Sequence, residues 1–238
     1  MATEAREATD VEVVDLASTP LRELNQRLHD LAHGEGPSRW RIVNPNGVHA
    51  LAAGLDAEIE VEVDGHVGYY CAGMNKLATV RVRGNASTGL AENMMSWLVV
   101  VDGNASQSAG ATGRGGLLVV HGDASARCGI SMKGIDIVVR GSVGHLSAFM
   151  AQTGRLVVCG DAGEALGDSI YEARLYVRGA VGGLGADCVE KEVRDEHVDE
   201  LRDLLGRAGT DDVQPEEFRR YGSARKLYNF SIDNASAY

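Results

Sequence analysis

Aromatic side chains are scarce in this 238-residue chain, at 5% in total, with only three Phe and two Trp. A wide core built on ring packing is therefore excluded, and Val, Leu, Ile and Ala must fill whatever interior exists. Long apolar runs are missing too. The longest, such as WLVVV at 97–101, are far too short to span a bilayer. The opening MATEAREATD has neither a basic segment nor an apolar stretch, so no secretory signal is expected, and the expected location is the cytoplasm. Basic charge is in deficit, with 23 Lys and Arg against 34 Asp and Glu and a net charge of −11. Nucleic acid and anionic membranes are not expected partners for such a chain.

Cysteine is sparse and dispersed. Cys71, Cys128, Cys159 and Cys188 form no CxxC pair, and no HxxxH pairing accompanies them. Small buried thiols in a reducing compartment are the expectation, rather than a metal site. No GxGxxG leads from a strand into a helix, and no GxxxxGK occurs, so a nucleotide phosphate loop is not expected.

Glycine, by contrast, is abundant, with 30 residues, and it is periodic. Gly65, Gly84, Gly103, Gly122, Gly141, Gly160 and Gly179 follow one another at intervals of 19. Two positions before each stands a valine, from Val63 and Val82 through to Val177. Four before stands Val61, Val80, Val99, Leu118, Ile137, Leu156 or Leu175. Two after is always Ala or Val; three after is Gly or Ser; seven after is Ala or Gly.

Aliphatic residues two apart share one face of a short strand. The glycine permits a turn that a Cβ would hinder, and Asn85, Asn104, Asp123 and Asp161 directly after it suit tight turns. One such unit cannot bury its own apolar face, but stacked units can. The predicted fold is an all-β core: a right-handed parallel β-helix of seven 19-residue rungs, about 34 Å long at about 4.8 Å per rung. Residues 1–58 form an N-terminal arm with a helix and a strand, 59–188 the β-helix, and 189–238 C-terminal helices and a tail.

Two columns should face outward. The position before each glycine reads Asp64, Arg83, Asp102, His121, Arg140, Cys159, Arg178, a ladder of alternating charge over its first four steps. The position three before reads Glu62, Arg81, and then the apolar stripe Val100, Val119, Val138, Val157, Tyr176. Stripes of this size are seldom left bare, so either a terminal helix of this chain or another subunit must cover it. It is the candidate interface. Asp64 and Asp102 are the only carboxylates in the first column, about 9.6 Å apart on alternate rungs, near the spacing of an inverting glycosidase. No aromatic sugar platform accompanies them.

In the arms, Thr19-Pro20 suits a helix start with Pro first, and Leu21, Leu24, Leu28 and Leu31 then line one face. WRIV at 40–43 reads as a strand. Residues 188–207 read as a charged helix with Val198, Leu201 and Leu205 on one side, and PEEFRRYG as another short helix. The basic and aromatic tail SARKLYNFSIDNASAY either packs on the rod or docks onto a neighbour.

The units VDGHVG, VRGNAS, VDGNAS, VHGDAS, VRGSVG, VCGDAG and VRGAVG resemble the GXGXG domain, the C-terminal β-helix of the glutamate synthase large subunit, which also occurs as a stand-alone subunit. The resemblance extends to VNPNGVHALAAGL before the rungs and FRRYGSARKLYNF after them. The stretch FMAQTGRLVVCGDAGEALGDSIYEARLYVRG is most similar to the stand-alone subunit of N-methylglutamate synthase. The resemblance implies a non-catalytic subunit of a hetero-oligomer. Its implied partners are a glutamine-amidotransferase-like subunit and an FMN-binding synthase subunit, the latter with FMN and in some members an iron–sulfur cluster. The β-helix would hold the two together and help wall a nitrogen passage. Glutamate and methylamine would give N-methylglutamate and ammonia. Neither catalytic module is present here, so the resemblance transfers no catalytic, cofactor or metal residue to this chain. A related β-helix serves as one of the subunits of formylmethanofuran dehydrogenase and of formyltransferase/hydrolase complexes, and that assembly is the alternative.

Overall fold

A computed structural model describes residues 11–225, except 33 and 35. The expectations for residues 1–10 and 226–238 lie outside the described residues. The strands β1 (Val11–Asp15), β2 (Arg39–Val43), β3 (Glu60–Asp64), β4 (Thr79–Val82), β5 (Leu98–Val101), β6 (Leu117–Val120), β7 (Lys133–Val139), β8 (Thr153–Val158) and β9 (Arg174–Val177) pair in parallel, each with the next. From β3 to β9 the register is the 19-residue repeat: Val61 pairs with Val80, Val80 with Val99, and so on to Leu175. The chain folds as a parallel β-solenoid, and the repeated valines and leucines share one dry interior.

A second line of parallel bridges follows each glycine, from Val67 with Ala86 to Ala162 with Val181. Between these lines the coil turns through a third side, where left-handed residues recur. Tyr70, Ala72 and Met74 in one coil match Ser108, Gly110 and Thr112 two coils on. Their N–H groups bond to the coils on either side, Ala91 N–H to Cys71 O and Ser108 N–H to Ala126 O among them. The small residues seven after the glycine, from Ala72 to Gly167, therefore serve a left-handed backbone as well as a narrow axis.

The anchor glycines have a more specific reason than a turn. Each glycine N–H donates to the carbonyl of the glycine one coil earlier, at 2.8 to 3.0 Å from Gly103 onward. The residue after it reaches across the same gap. Asn104 N–H donates to Asn85 Oδ1 at 2.8 Å, Asp123 N–H to Asn104 Oδ1 at 2.8 Å, and Ser142 N–H to Asp123 Oδ1 at 2.7 Å. At the first rung His66 Nδ1 takes the acceptor's place for Asn85 N–H, at 2.9 Å. A Cβ on Gly122 would collide with Asn104 Oδ1 and stand 2.8 Å from Gly103 O. The column is glycine because coils must approach this closely.

The parallel sheet runs two strands further toward the N terminus than the 19-residue spacing marks. WRIV lies in β2, and Trp40 pairs with Val61, 21 residues on. Helix α1 (Leu21–Asp30) occupies the interval between β1 and β2. Its Leu24 and Leu28 are fully buried against the open end of the coil, with Leu21 and Leu31 packed beside them. Asn25 substitutes for a missing backbone rung: its Nδ2 donates to Ala50 O at 2.8 Å, and its Oδ1 accepts from Ala52 N–H at 3.0 Å. Pro20 is the N-cap of α1 rather than its first helical residue. Its ψ of 135° keeps it extended, while Thr19 N–H already donates to Asp15 O.

The other end is closed differently from the sequence expectation. Residues 188–191 are not helical. They form β10 (Cys188–Lys191), antiparallel to β11 (Arg219–Ser223), which in turn pairs antiparallel with β9. The last parallel strand presents an edge that needs donors and acceptors, and RRYGS supplies them in place of the expected helix. The helix α2 (Asp195–Arg207) begins only after this edge is paired, and PEE forms a 3-10 turn, Pro215–Glu217.

Replacing Gly122 by Val should lower stability by roughly 3 kcal/mol or more, because the clash is with a neighbouring coil's backbone. His121→Ala, one residue earlier in the bend after β6, should cost about 1 kcal/mol or less. Thermal melts of the two variants side by side check this, and a larger loss for His121→Ala would reverse the assignment of faces.

Candidate functional surfaces

The apolar stripe lies under α2. Val119, Val138, Val157 and Tyr176 are at most 1% exposed, packed with Leu201, Leu204, Leu205, Ala208 and Phe218, while Val100 at the margin is half-buried. The buried face of α2 is His197, Leu201, Leu204 and Leu205, so Leu204 joins the face expected from the sequence and Val198 is only partly covered. Coverage also explains a local pattern. In β4 exposure alternates along the strand, whereas all four residues of β6 are buried, because one set faces the coil interior and the other faces α2. Each fully buried leucine of α2 contributes about 2 kcal/mol. From Val119 to Tyr176 the stripe is thus an interface within the chain.

A polar network pins α2 in place. Glu200 accepts from Tyr176 Oη at 2.6 Å and pairs with Arg174 at 2.9 Å and Arg155 at 3.1 Å, and Arg155 also binds Asp136. Burial alone would raise the Glu200 carboxyl, but the bonds from Tyr176 and Arg174 and the nearby guanidinium charges outweigh it and hold it low. The Asp136 bond, despite some desolvation, pushes the Arg155 guanidinium still higher. Asp136, Arg155, Arg174 and Glu200 line a cleft of about 460 Å³ and pair with one another, while Glu172 at its rim is not part of the network. Sequence reading missed this group, although the signal was there: Asp136, Arg155 and Arg174 stand five before successive glycines. Beyond α2, from Val13 to Arg81, the same outer face is open and forms a cleft of about 650 Å³.

The charged column ahead of the glycines is real, but its ion pairs run mostly on the diagonal. Arg41 binds Asp64 at 2.6 Å, Arg83 binds Glu62 at 2.6 Å, and Arg81 binds Asp102 at 2.7 Å, while Arg83 to Asp64 is 3.8 Å. Arginine side chains are long enough to reach the next coil's offset position, where the geometry is better. Asp64 and Asp102 are therefore arginine-paired carboxylates, a poor arrangement for a general acid. His121 stands 3.5 Å from Asp102, but burial and the charges of Arg81 and Arg140 lower its imidazole overall. Arg140 and Arg178 reach away to Asp212 and Glu217, so the upper column secures the C-terminal arm.

The four cysteines are free and buried. Desolvation pushes the Cys71 and Cys128 thiols up to about 12 and those of Cys159 and Cys188 to about 11. Thiols of that kind are poor nucleophiles at neutral pH. Among the described residues no group of three His, Cys, Asp or Glu could hold a metal ion, and no helix is long and apolar enough to cross a membrane. Two polar side chains of the coil are fully buried: Ser147 donates to Gly144 O at 2.8 Å, and Asn75 donates to Ala78 O at 2.7 Å but leaves its Oδ1 without a partner among the described residues.

Stacked parallel coils, charges neutralised across neighbouring rungs and a helix strapped along one side define a solenoid protein built to be rigid. The chain is 64% identical over 226 residues to Protein GlxC of Rhizobium meliloti (strain 1021), covering 95% of this chain and 99% of that protein. It belongs to the same family as that protein. No family model matches the chain.

The α2 contacts can be probed in two ways. Glu200→Ala leaves Arg155 and Tyr176 half-satisfied and should cost about 2 kcal/mol in chemical denaturation. The second concerns His197 at the start of α2, whose Nδ1 accepts Arg194 N–H at 3.0 Å. Burial, and then the charge of Arg220, hold its imidazole below the ordinary value. The folded chain prefers the neutral ring, so this stabilisation is complete above about pH 6.5 and is lost as pH falls through the lower folded value. His197→Gln keeps an acceptor at the same place and should flatten the acid limb of a Tm-against-pH curve.

Proposed function

We propose that this chain is a non-catalytic scaffold subunit of an FMN-dependent, glutamate-synthase-like complex of the N-methylglutamate synthase type. The observation that carries the reading is the division of labour in its residues. The interior is aliphatic, the thiols are buried, and the charged columns engage one another or the chain's own C-terminal arm. What remains is a stiff post with long exposed sides. The seven repeat units and their resemblance to the GXGXG domain support the choice of assembly. In that assembly the flavin belongs to the synthase-like partner and the amide chemistry to the amidotransferase-like partner. A solenoid locked by backbone bonds between every pair of coils suits a fixed spacing between two catalytic bodies and a water-poor wall for a nitrogen intermediate.

A tagged full-length chain, purified from the cell that makes it, should bring with it an FMN-binding subunit and an amidotransferase-like subunit, with a flavin absorbance band in the complex. The isolated chain should show neither flavin nor turnover. Recovery with molybdopterin or formyltransferase proteins instead, or activity of the isolated chain on glutamate and methylamine, would overturn the assignment.

A further inference from the structure

Trp97 stands out on the exposed sides of the coil. It is 46% exposed, with φ of +73°. The left-handed region is costly for a bulky residue, on the order of 1–3 kcal/mol. Asn44, Asn46 and Asp187 are of types that tolerate the conformation, and the other left-handed side chains in this fold belong to the repeated third side. Trp97 does not. At its column Ala78 one coil back and Ile135 two coils on are not left-handed, while Gly116 one coil on and Gly154 three coils on are, with φ of +83° and +103°. Glycine is the residue this backbone asks for, and tryptophan stands there instead.

The fold gains little from it in return. The ring lies outside both apolar cores, and the indole N–H makes no hydrogen bond among the described residues. Its neighbourhood is of one kind. Met95 is 46% exposed two residues earlier, and Met74, on the preceding coil, is 45% exposed. Nineteen and thirty-eight residues after Met95 come Arg114 and Lys133, both exposed, and neither has an ion-pair partner among the described residues. In a chain of net charge −11, whose β2 and β4 region pairs Arg41, Arg81 and Arg83 with carboxylates, two cations without ion pairs on one column set this face apart.

We infer that the corner carrying Trp97, Met95 and Met74, flanked by Arg114 and Lys133, is a docking surface for a protein subunit that offers an apolar socket bordered by carboxylates. An exposed Trp beside flexible thioethers is the composition of an interface centre, and the unpaired cations select an acidic rim. Local backbone strain that the fold does not need is accounted for by a contact made only in the complex. This rests on the scaffold reading and adds where on the post a partner is held.

The test uses the full-length chain with the purified FMN-binding and amidotransferase-like subunits as probes, each titrated separately by interferometry. Trp97→Gly should melt at or above the wild-type temperature, because it relieves the left-handed strain, while weakening binding of one subunit at least 30-fold. Arg114→Glu with Lys133→Glu should also leave the melt unchanged and weaken the same subunit, with the loss growing at low salt. If Trp97→Gly melts several degrees lower, the tryptophan is structural and the inference fails. If both variants bind as the wild type does, the surface is wrong and the scaffold reading stands. If the wild type binds neither subunit, the scaffold reading fails and takes the docking surface with it.

Discussion

The close approach of successive coils at the glycine column governs the rest of this molecule. There the backbone of one coil donates directly to that of the coil before it, and the next residue's amide, carboxylate or hydroxyl oxygen closes a second bond across the same gap. From Gly84 onward, any Cβ in that column would occupy the acceptor's place. Once the column is Cβ-free, every other position in the repeat is held at a fixed height and direction. The aliphatic positions meet their counterparts inside, and the outer columns become ladders. The pitch of the solenoid is therefore a hydrogen-bond distance, repeated.

Rigidity of this sort needs ends, and the two ends are closed by different chemistry. At the N-terminal end an α-helix lays two leucines over the open coil, and one asparagine imitates a peptide group. At the C-terminal end two antiparallel strands reverse the direction of the sheet. The outer face is closed only in part. Helix α2 covers it from β6 to β9, and the charged half over β1 to β4 stays open. The chain thus has two closed ends, a strapped side and an exposed side.

How much of this could be read beforehand depends on whether the information was local. The seven glycines, the inward valines and the outward stripe were legible because a 19-residue period repeats the same physical environment. The strands on either side of that run were harder. Trp40 does pair with Val61, but a 21-residue interval breaks the column, and β1 lies further off still, with a helix inserted between. RRYGS reads as helix or loop by composition, and becomes a strand only because β9 offers it an edge. The Glu200 network escaped notice because one of its members lies on a helix, outside the period.

The order of residues was enough to dictate the architecture, since periodicity, small residues and aliphatic pairs leave stacked coils as the only way to bury so narrow a set of side chains. It dictated equally that the outer stripe had to be covered. What covers it was settled by the packing of distant segments. Whether a helix folds back or a partner arrives depends on where the chain emerges from its last coil, and the antiparallel turn through β10 sets that exit. The strain at Trp97 is likewise invisible in composition: tryptophan is an ordinary residue until the backbone beneath it proves to be left-handed, a conformation the next coil meets with Gly116.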